Sequence, residues 1–422
     1  MDPSNHPCFN AGMKGTYGRV HLPVAPRCNI QCNYCDRKYD CVNESRPGVT
    51  SAVLKPSQAM IYLDYVLEKV TNISVVGIAG PGDPFANPDE TMETLGLVKK
   101  KYPGMILCLA TNGLDIGPYI DDLAQLDVSH VTVTLNAVDP DIGSQLYSFV
   151  RHGKRTLGPR PGFEALLEQQ LAAITRLKEK NITTKVNTVI IPGINDGHIE
   201  TIAEKMAELK VDVLNCIPFY PNKGANLGHL AEPSKSVVAD IRKKAAIHLP
   251  QMYHCKRCRA DAVGILGESN GRKIIDKLQE CAQMPEIYGD KRPYVAIASL
   301  DGRLVNQHLG KAEELLIYGQ KENGDVYFVE ARKTPKPGGG TQRWEDLSNM
   351  LIDCRALMVT GLGDSPRRIL KQKKIDVLEL DGTIIEAAEA AFEGHSMDFM
   401  IQRDVQACNK KNPMAGMMGC GF

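Results

Sequence analysis

Residues 19–35 read Arg19-Val20-His21-Leu22-Pro23-Val24-Ala25-Pro26-Arg27-Cys28-Asn29-Ile30-Gln31-Cys32-Asn33-Tyr34-Cys35. A β-rich run, Arg19–Ala25, is followed at once by three cysteines spaced C-x3-C-x2-C. The rhythm set here continues downstream, where short runs of Val, Ile, Leu and Thr alternate with longer amphipathic stretches. The runs at Ile73–Ala79, Met105–Ala110, His130–Leu135, Thr183–Ile191 and Val211–Phe219 predict five more strands. Ser57–Val70, Pro88–Lys101, Gly162–Lys180 and Ile199–Leu209 predict crossover helices between them. Six β-then-α units imply an α/β fold: a parallel sheet with helices outside, an open or partial (β/α)6 barrel.

Polar punctuation follows the predicted strands: Ile78-Ala79-Gly80-Pro81-Gly82-Asp83-Pro84, then Thr111-Asn112-Gly113, Asn136, and Pro192-Gly193. In parallel α/β folds the loops at the strands' carboxyl ends converge on one rim, where ligands gather. Ordinary βα turns also need Gly, Asn and Pro. Recurrence after successive strands favours a shared site.

The pattern breaks near Cys281–Arg292. Beyond it, three strands (Tyr294–Leu300, Glu314–Tyr318, Val326–Ala331) precede a helix around Trp344–Ile352 and a strand at Ala356–Thr360. A helix after Pro366, a strand at Val377–Leu380 and a last helix to about Phe392 complete a second, small α/β unit. The expected division is 1–285 for the barrel with its flanking cysteine segments, 290–400 for the small domain, and 401–422 for a Cys/Met-rich tail. That tail, holding Cys408, Met414, Met417, Met418 and Cys420, is expected to lack order without a ligand.

Length and composition set the outer bounds. The 422 residues suggest two or three domains, and 43% hydrophobic with 24% charged residues is ordinary for a globular chain. Fifty Lys plus Arg balance fifty Asp plus Glu, which removes the electrostatic argument for nucleic-acid or anionic-membrane binding. No apolar run reaches the roughly 18–20 residues of a membrane span. Met1-Asp2-Pro3-Ser4-Asn5-His6 lacks a signal peptide's basic and apolar regions, so a cytoplasmic location is expected.

The thirteen cysteines are too sparse for a disulfide scaffold. Cys28, Cys32 and Cys35 on one tight loop suit three irons of a cubane 4Fe–4S cluster. No fourth cysteine follows at ferredoxin spacing, which leaves one iron open to an exogenous chelator. The competing reading is a structural zinc knot completed by Cys41 or a histidine. Five further thiols, Cys8, Cys41, Cys108, Cys255 and Cys258, and the imidazole of His6 are candidate metal ligands. Cys216 and Cys281 read as incidental.

The triad and its position resemble the radical S-adenosylmethionine superfamily over roughly residues 15–250. That resemblance implies S-adenosylmethionine chelating the open iron, with Tyr34 near the adenine. It also implies contacts from Gly80, Gly82 and Asp83 in the second-strand loop and from Thr134 and Asn136 at the end of the fourth strand. More specifically, four segments beside the triad resemble the NifB family: His6-Pro7-Cys8-Phe9-Asn10, Glu44-Ser45-Arg46-Pro47-Gly48-Val49, Ala79–Pro84 and Cys255-Lys256-Arg257-Cys258-Arg259-Ala260-Asp261-Ala262. Residues 294–394 resemble the NifX-type domain fused to many NifB chains, for which a ribonuclease H-like fold is expected.

The resemblance implies an enzyme of nitrogenase cofactor biosynthesis, carrying the radical cluster and two further 4Fe–4S clusters as substrates. The two would be fused, with a methyl-derived carbide and an added sulfur, into an 8Fe precursor, a lyase- or transferase-like reaction. Implied partners are a cluster donor, downstream cofactor carriers or scaffolds, and a reductant such as ferredoxin or flavodoxin. Glu44 and Arg46 are candidate catalytic residues; a structural ion pair between them is the alternative. His308 and Cys354 are candidate contacts in the small domain. Two other functions remain open: another auxiliary-cluster radical enzyme (a cyclase or peptide modifier), and a non-catalytic cluster scaffold or carrier.

Overall fold

The computed structural model describes residues 3–44, 48–267, 271–284, 290–321, 323–394, 397 and 400. The chain forms two compact units, one up to Ala282 and one from Gln283 onward. Among the described residues no helix is long and apolar enough to cross a membrane.

In the first unit, ten strands run in chain order: β1 (Gly18–His21), β2 (Ile30–Cys32), β3 (Ile73–Ile78), β4 (Ile106–Thr111), β5 (Val128–Thr134), β6 (Tyr147–His152), β7 (Arg155–Leu157), β8 (Thr183–Ile190), β9 (Val213–Pro218) and β10 (Val263–Gly264). The main sheet has the order β10-β1-β3-β4-β5-β8-β9. Its six strands from β1 to β9 are parallel, and β10 adds an antiparallel edge beside β1. This is the expected partial barrel. The first strand stops at His21, earlier than predicted, because Pro23 and Pro26 cannot donate to a ladder.

The sheet carries its helices through α1 (Pro56–Lys69), α2 (Pro88–Lys101), α3 (Ile120–Gln125), α4 (Pro140–Leu146), α5 (Pro159–Glu179), α6 (Ile199–Glu208), α7 (Lys235–Ala245) and α8 (Arg272–Gln283). Side-chain alternation decides which residues face the helices and which face inward. In β5, Val131 and Val133 are fully buried, while Thr132 and Thr134 belong to the opposite face. The same parity puts Arg19 and His21, Cys108 and Ala110, and Lys185 and Asn187 on the inner face.

A second sheet, β2-β6-β7, is antiparallel and was not anticipated from the sequence. Its hairpin turns at Gly153, which has φ +59°. Its other edge is the cysteine loop itself.

The second unit continues with β11 (Tyr294–Ile297), β12 (Leu304–Val305), β13 (Glu314–Gln320), β14 (Val326–Lys333), β15 (Cys354–Val359), β16 (Asp376–Glu379) and β17 (Gly382–Thr383), and with α9 (Thr341–Met350), α10 (Asp364–Gln372) and α11 (Ile384–Glu393). Its five-stranded sheet has the order β14-β13-β11-β15-β16, with β11 antiparallel to β13 and parallel to β15. That is the order 3-2-1-4-5 expected of a ribonuclease H-like unit. Cys354 lies fully buried in this core. His308 opens a short turn, with its Nδ1 accepting from Gly310 N at 3.0 Å.

Candidate functional site

The three clustered cysteines are held by two sets of backbone contacts. On one side β2 pairs with β6, aligning Cys32 with Tyr147. Cys35 N donates to Cys32 O at 3.1 Å, and Gln31 Nε2 caps the carbonyls of Cys32 and Cys35. On the other side the Gly80–Pro84 run acts as a clamp. Gly82 N donates to Ala25 O at 2.6 Å, Asp83 N to Arg27 O at 2.8 Å, and Cys41 N to Pro81 O at 3.0 Å. A Cβ on residue 82 would lie 2.1 Å from Arg27 O, so the approach of these loops requires glycine there.

The result is a cavity at the carboxyl ends of the strands. Cys28, Cys32, Cys35 and Cys41 line it together with Arg37, Asn43, Glu44, Gly82, Asp83, Thr111, Asn112 and Thr134. Asn112 Nδ2 and Asn43 Nδ2 each lie 3.9 Å from a sulfur, those of Cys28 and Cys32 respectively. Burial raises all four thiols; Cys28 reaches about 11, with Asp83 adding to the rise. Soft donors on one wall, sulfur-directed amides and burial of the thiols fit a cubane held through Cys28, Cys32 and Cys35, whose irons would expel the thiol protons. Among the described residues no group of three His, Cys, Asp or Glu side chains converges as a single-ion site would require.

Of the residues expected to contact the nucleoside, Gly82, Asp83 and Thr134 line this cavity. Asp83 is already engaged: its oxygens accept from Phe85 N, Asn112 N and Thr111 Oγ1. Burial nevertheless lifts its carboxyl to about 6. Tyr34 and Asn136 belong to the packed core behind the cavity, where Asn136 Nδ2 donates to Tyr34 OH at 2.6 Å and Tyr34 OH donates to Asn43 Oδ1 at 2.8 Å. Gly80 takes φ +128° in the clamp and packs near Ala260.

A second chamber lies deeper along the strands. It gathers His6, Cys8, Cys108, Cys255 and Cys258, five candidate ligands spread over 253 positions of sequence, and the inward residues of β1, β4, β8 and β9. Cys41, expected with this group, instead lines the first cavity. Arg19 Nη2 donates to Cys258 Sγ at 2.9 Å, and Arg257 N to Cys255 Sγ at 3.4 Å. Burial keeps Cys8 protonated, raising it to about 12, and pushes Cys108 up further. The imidazole of His6 is held neutral by burial, and its Nε2 has no hydrogen-bond partner.

Two histidines missed in the sequence stand beside it. His21 lines the chamber with its Nδ1 3.0 Å from Arg259 O, and burial lowers it to about 4. That contact, assigned as Nδ1–H donating, frees Nε2 as a donor atom for metal. Gly77 makes this possible, since a Cβ there would lie 2.9 Å from Cys108 Sγ and 3.1 Å from His21 Cδ2. His130, paired with Cys108 across β4 and β5, packs its ring 4.5 Å from that of His6. The available signal was a polar residue at every second position of a strand otherwise read as buried.

Glu44 lines both spaces, and Ala110 does the same. Thr134 Oγ1 donates to Glu44 Oε1 at 3.0 Å and Asn187 Nδ2 to Oε2 at 2.8 Å. Loss of water outweighs these bonds and the charge of Lys185, and lifts the carboxyl from 4.5 to about 7. Arg46, the other candidate catalytic residue, lies outside the described residues, as does the 401–422 tail.

Comparison with known proteins finds two families along the chain. The Radical SAM superfamily matches residues 22–206, and the dinitrogenase iron-molybdenum cofactor family matches residues 291–394. The FeMo cofactor biosynthesis protein NifB of Chlorobaculum tepidum is 52% identical over 410 residues, covering 97% of each chain. NifB of Klebsiella pneumoniae is 36% identical over 88% of this chain and 86% of its own length. That of Azotobacter vinelandii is 34% identical over 86% and 82%. Identity of this order across nearly the whole of both units means that the chain belongs to the NifB family of the radical S-adenosylmethionine enzymes.

Proposed function

We propose that this radical enzyme of FeMo cofactor biosynthesis fuses two 4Fe–4S clusters, inserting a methyl-derived carbide and a sulfur, to make an 8Fe precursor. The observation that carries the reading is the pair of adjoining cavities with Glu44 in both walls. One offers a three-thiol loop; the other offers thiols and neutral imidazoles for substrate clusters.

Cys28, Cys32 and Cys35 would hold the resident cubane, and Gly82 and Thr134 would border bound S-adenosylmethionine. When bound, the cubane supplies the electron that cleaves the sulfonium to methionine and a 5′-deoxyadenosyl radical. The chain's own work is holding, orienting and proton handling. Asn112 and Asn43 direct amides at two of the sulfurs. His6, Cys8, Cys108, Cys255 and Cys258, with His21 beside them, would hold the substrate clusters, and Cys41 would hold one from the radical side. Neutral imidazoles suit this task because they bind iron yet release it more readily than thiolates. Glu44, fixed through both oxygens by Thr134 and Asn187, would accept protons as the transferred methyl is converted to carbide. A cluster donor, a donor of the added sulfide, a reductant such as ferredoxin or flavodoxin, and a downstream carrier would complete the cycle, with the deoxyadenosyl radical taking one hydrogen atom from the methyl.

Methyl-labelled S-adenosylmethionine tests the proposal. The label is expected in an acid-extracted iron–sulfur cluster, with S-adenosylhomocysteine and deoxyadenosine both formed. Label only in peptide or a small organic product would point to a cyclase or peptide modifier, and neither product to a scaffold.

A further inference from the structure

Lys185 is a buried basic side chain with no ion-pair partner among the described residues. It sits in β8, is 7% exposed, and turns inward with Asn187 by strand parity. Among the described residues it makes no hydrogen bond or ion pair, and its Nζ lies 5.1 Å from the centroid of the Phe9 ring. The ring face offers an ammonium only a weak partner.

The other cations of the chamber differ. Arg19 is committed to Gly264 O, Ile265 O and Cys258 Sγ, and Lys256 is exposed. Glu44 is the one carboxylate among the lining residues, and it is held by Thr134 and Asn187. Buried polar atoms without partners share the space: His6 Nε2, which carries the ring proton because Nδ1 accepts from Cys8 N, and Arg19 Nε are donors, and Asn215 Oδ1 is an acceptor. A polar interior with positive charge in excess and partners missing is built around an anion that the chain itself does not contain.

We infer that Lys185 is an anchoring residue for the iron–sulfur substrate, donating from Nζ to cluster sulfides and compensating the net negative charge of a thiolate-ligated cluster. This rests on the reading of the chamber as the substrate-cluster site. Charge, and not only shape, is then the property that matters. A cation beside a cluster stabilises its reduced form, so removing it lowers the reduction potential.

The test uses the full chain reconstituted anaerobically with iron and sulfide, comparing Lys185→Met, Lys185→Gln and Lys185→Arg. The spectroscopic signature of the cluster on Cys28, Cys32 and Cys35 reports that each variant is folded. In Lys185→Met, chamber iron is expected to pass to a chelator about tenfold faster than in the parent, as loss of one partner of a buried charge pair acts on dissociation. Its chamber clusters should also titrate at a lower potential. Lys185→Gln guards against misfolding of the apolar variant and should behave the same way; Lys185→Arg should stay near the parent. Parent-like iron retention and potential in Lys185→Met and Lys185→Gln would overturn the assignment, as would equal losses in Lys185→Arg and Lys185→Met. A parent chain holding iron only at the three-cysteine loop would overturn the substrate-chamber reading itself and this assignment with it.

Discussion

Glu44 shows what one side chain contributes by where it stands. Its carboxyl, lifted to about 7, keeps a proton in the folded chain that the unfolded chain has already released. Between the ordinary value of 4.5 and about 7, stability therefore falls as pH rises, by about 3 kcal/mol once the carboxyl is fully ionised. Glu44→Gln removes that fall. In metal-free protein the variant should match the parent near pH 5 and melt higher at pH 8; Asp83, lifted to about 6, titrates in both proteins alike. A melting difference that does not change with pH would contradict a raised carboxyl. With clusters and S-adenosylmethionine supplied, the same variant should lower label in the extracted cluster by about a hundredfold, the lower end of what general-base removal costs. The sequence shows Glu44 as one acid near a cysteine. Only the fold reveals that Thr134 and Asn187, from two different strands, grip its two oxygens.

At the scale of elements, the cysteine loop and the clamp behind it depend on each other. Gly82→Ala would drive a Cβ into Arg27 O and part the bonds from Gly82 N and Asp83 N. We expect destabilisation of about 2–4 kcal/mol, within the range for strained backbone sites, and loss of the cluster on the three cysteines. Gly77→Ala should act elsewhere, crowding Cys108 and His21 and depleting chamber iron while that cluster survives. Iron quantitation with spectroscopy separates the two, and identical depletion in both variants would refute the independence of the two spaces. Six parallel strands were legible because runs such as Ile73-Ser74-Val75-Val76-Gly77-Ile78 are buried on both faces. The β2-β6-β7 sheet was not, since its partners lie over a hundred residues apart and neither is apolar enough to announce itself. Likewise Cys28, Cys32 and Cys35 declare themselves by contiguity. His21, Arg19 and Lys185 look like ordinary strand residues until the inner face is known.

Taken as a whole, the first unit strings its spaces along the strand direction. The three-thiol loop sits at the carboxyl ends, where loops converge, and the chamber occupies mid-strand positions beneath it. The candidate ligands are drawn from both flanks of the sheet, His6 and Cys8 on one side and Cys255 and Cys258 on the other, and from β4 within it, which supplies Cys108. The interior of the unit holds thiols that burial keeps protonated, a buried imidazole nitrogen without a hydrogen-bond partner and a lysine without an ion-pair partner among the described residues. Binding iron must expel those thiol protons, so loading should tighten as pH rises. The second unit has its own core. Calorimetry of chelator-treated protein should therefore resolve two transitions. Reconstitution with iron and sulfide, without S-adenosylmethionine, should raise only the one belonging to the first unit, since a ligand bound to the folded state alone stabilises that state. The gain should be larger at pH 8 than at pH 6. A shift confined to the second unit's transition, or a gain that shrinks as pH rises, would mean that the buried thiols are core residues and that the iron is held elsewhere.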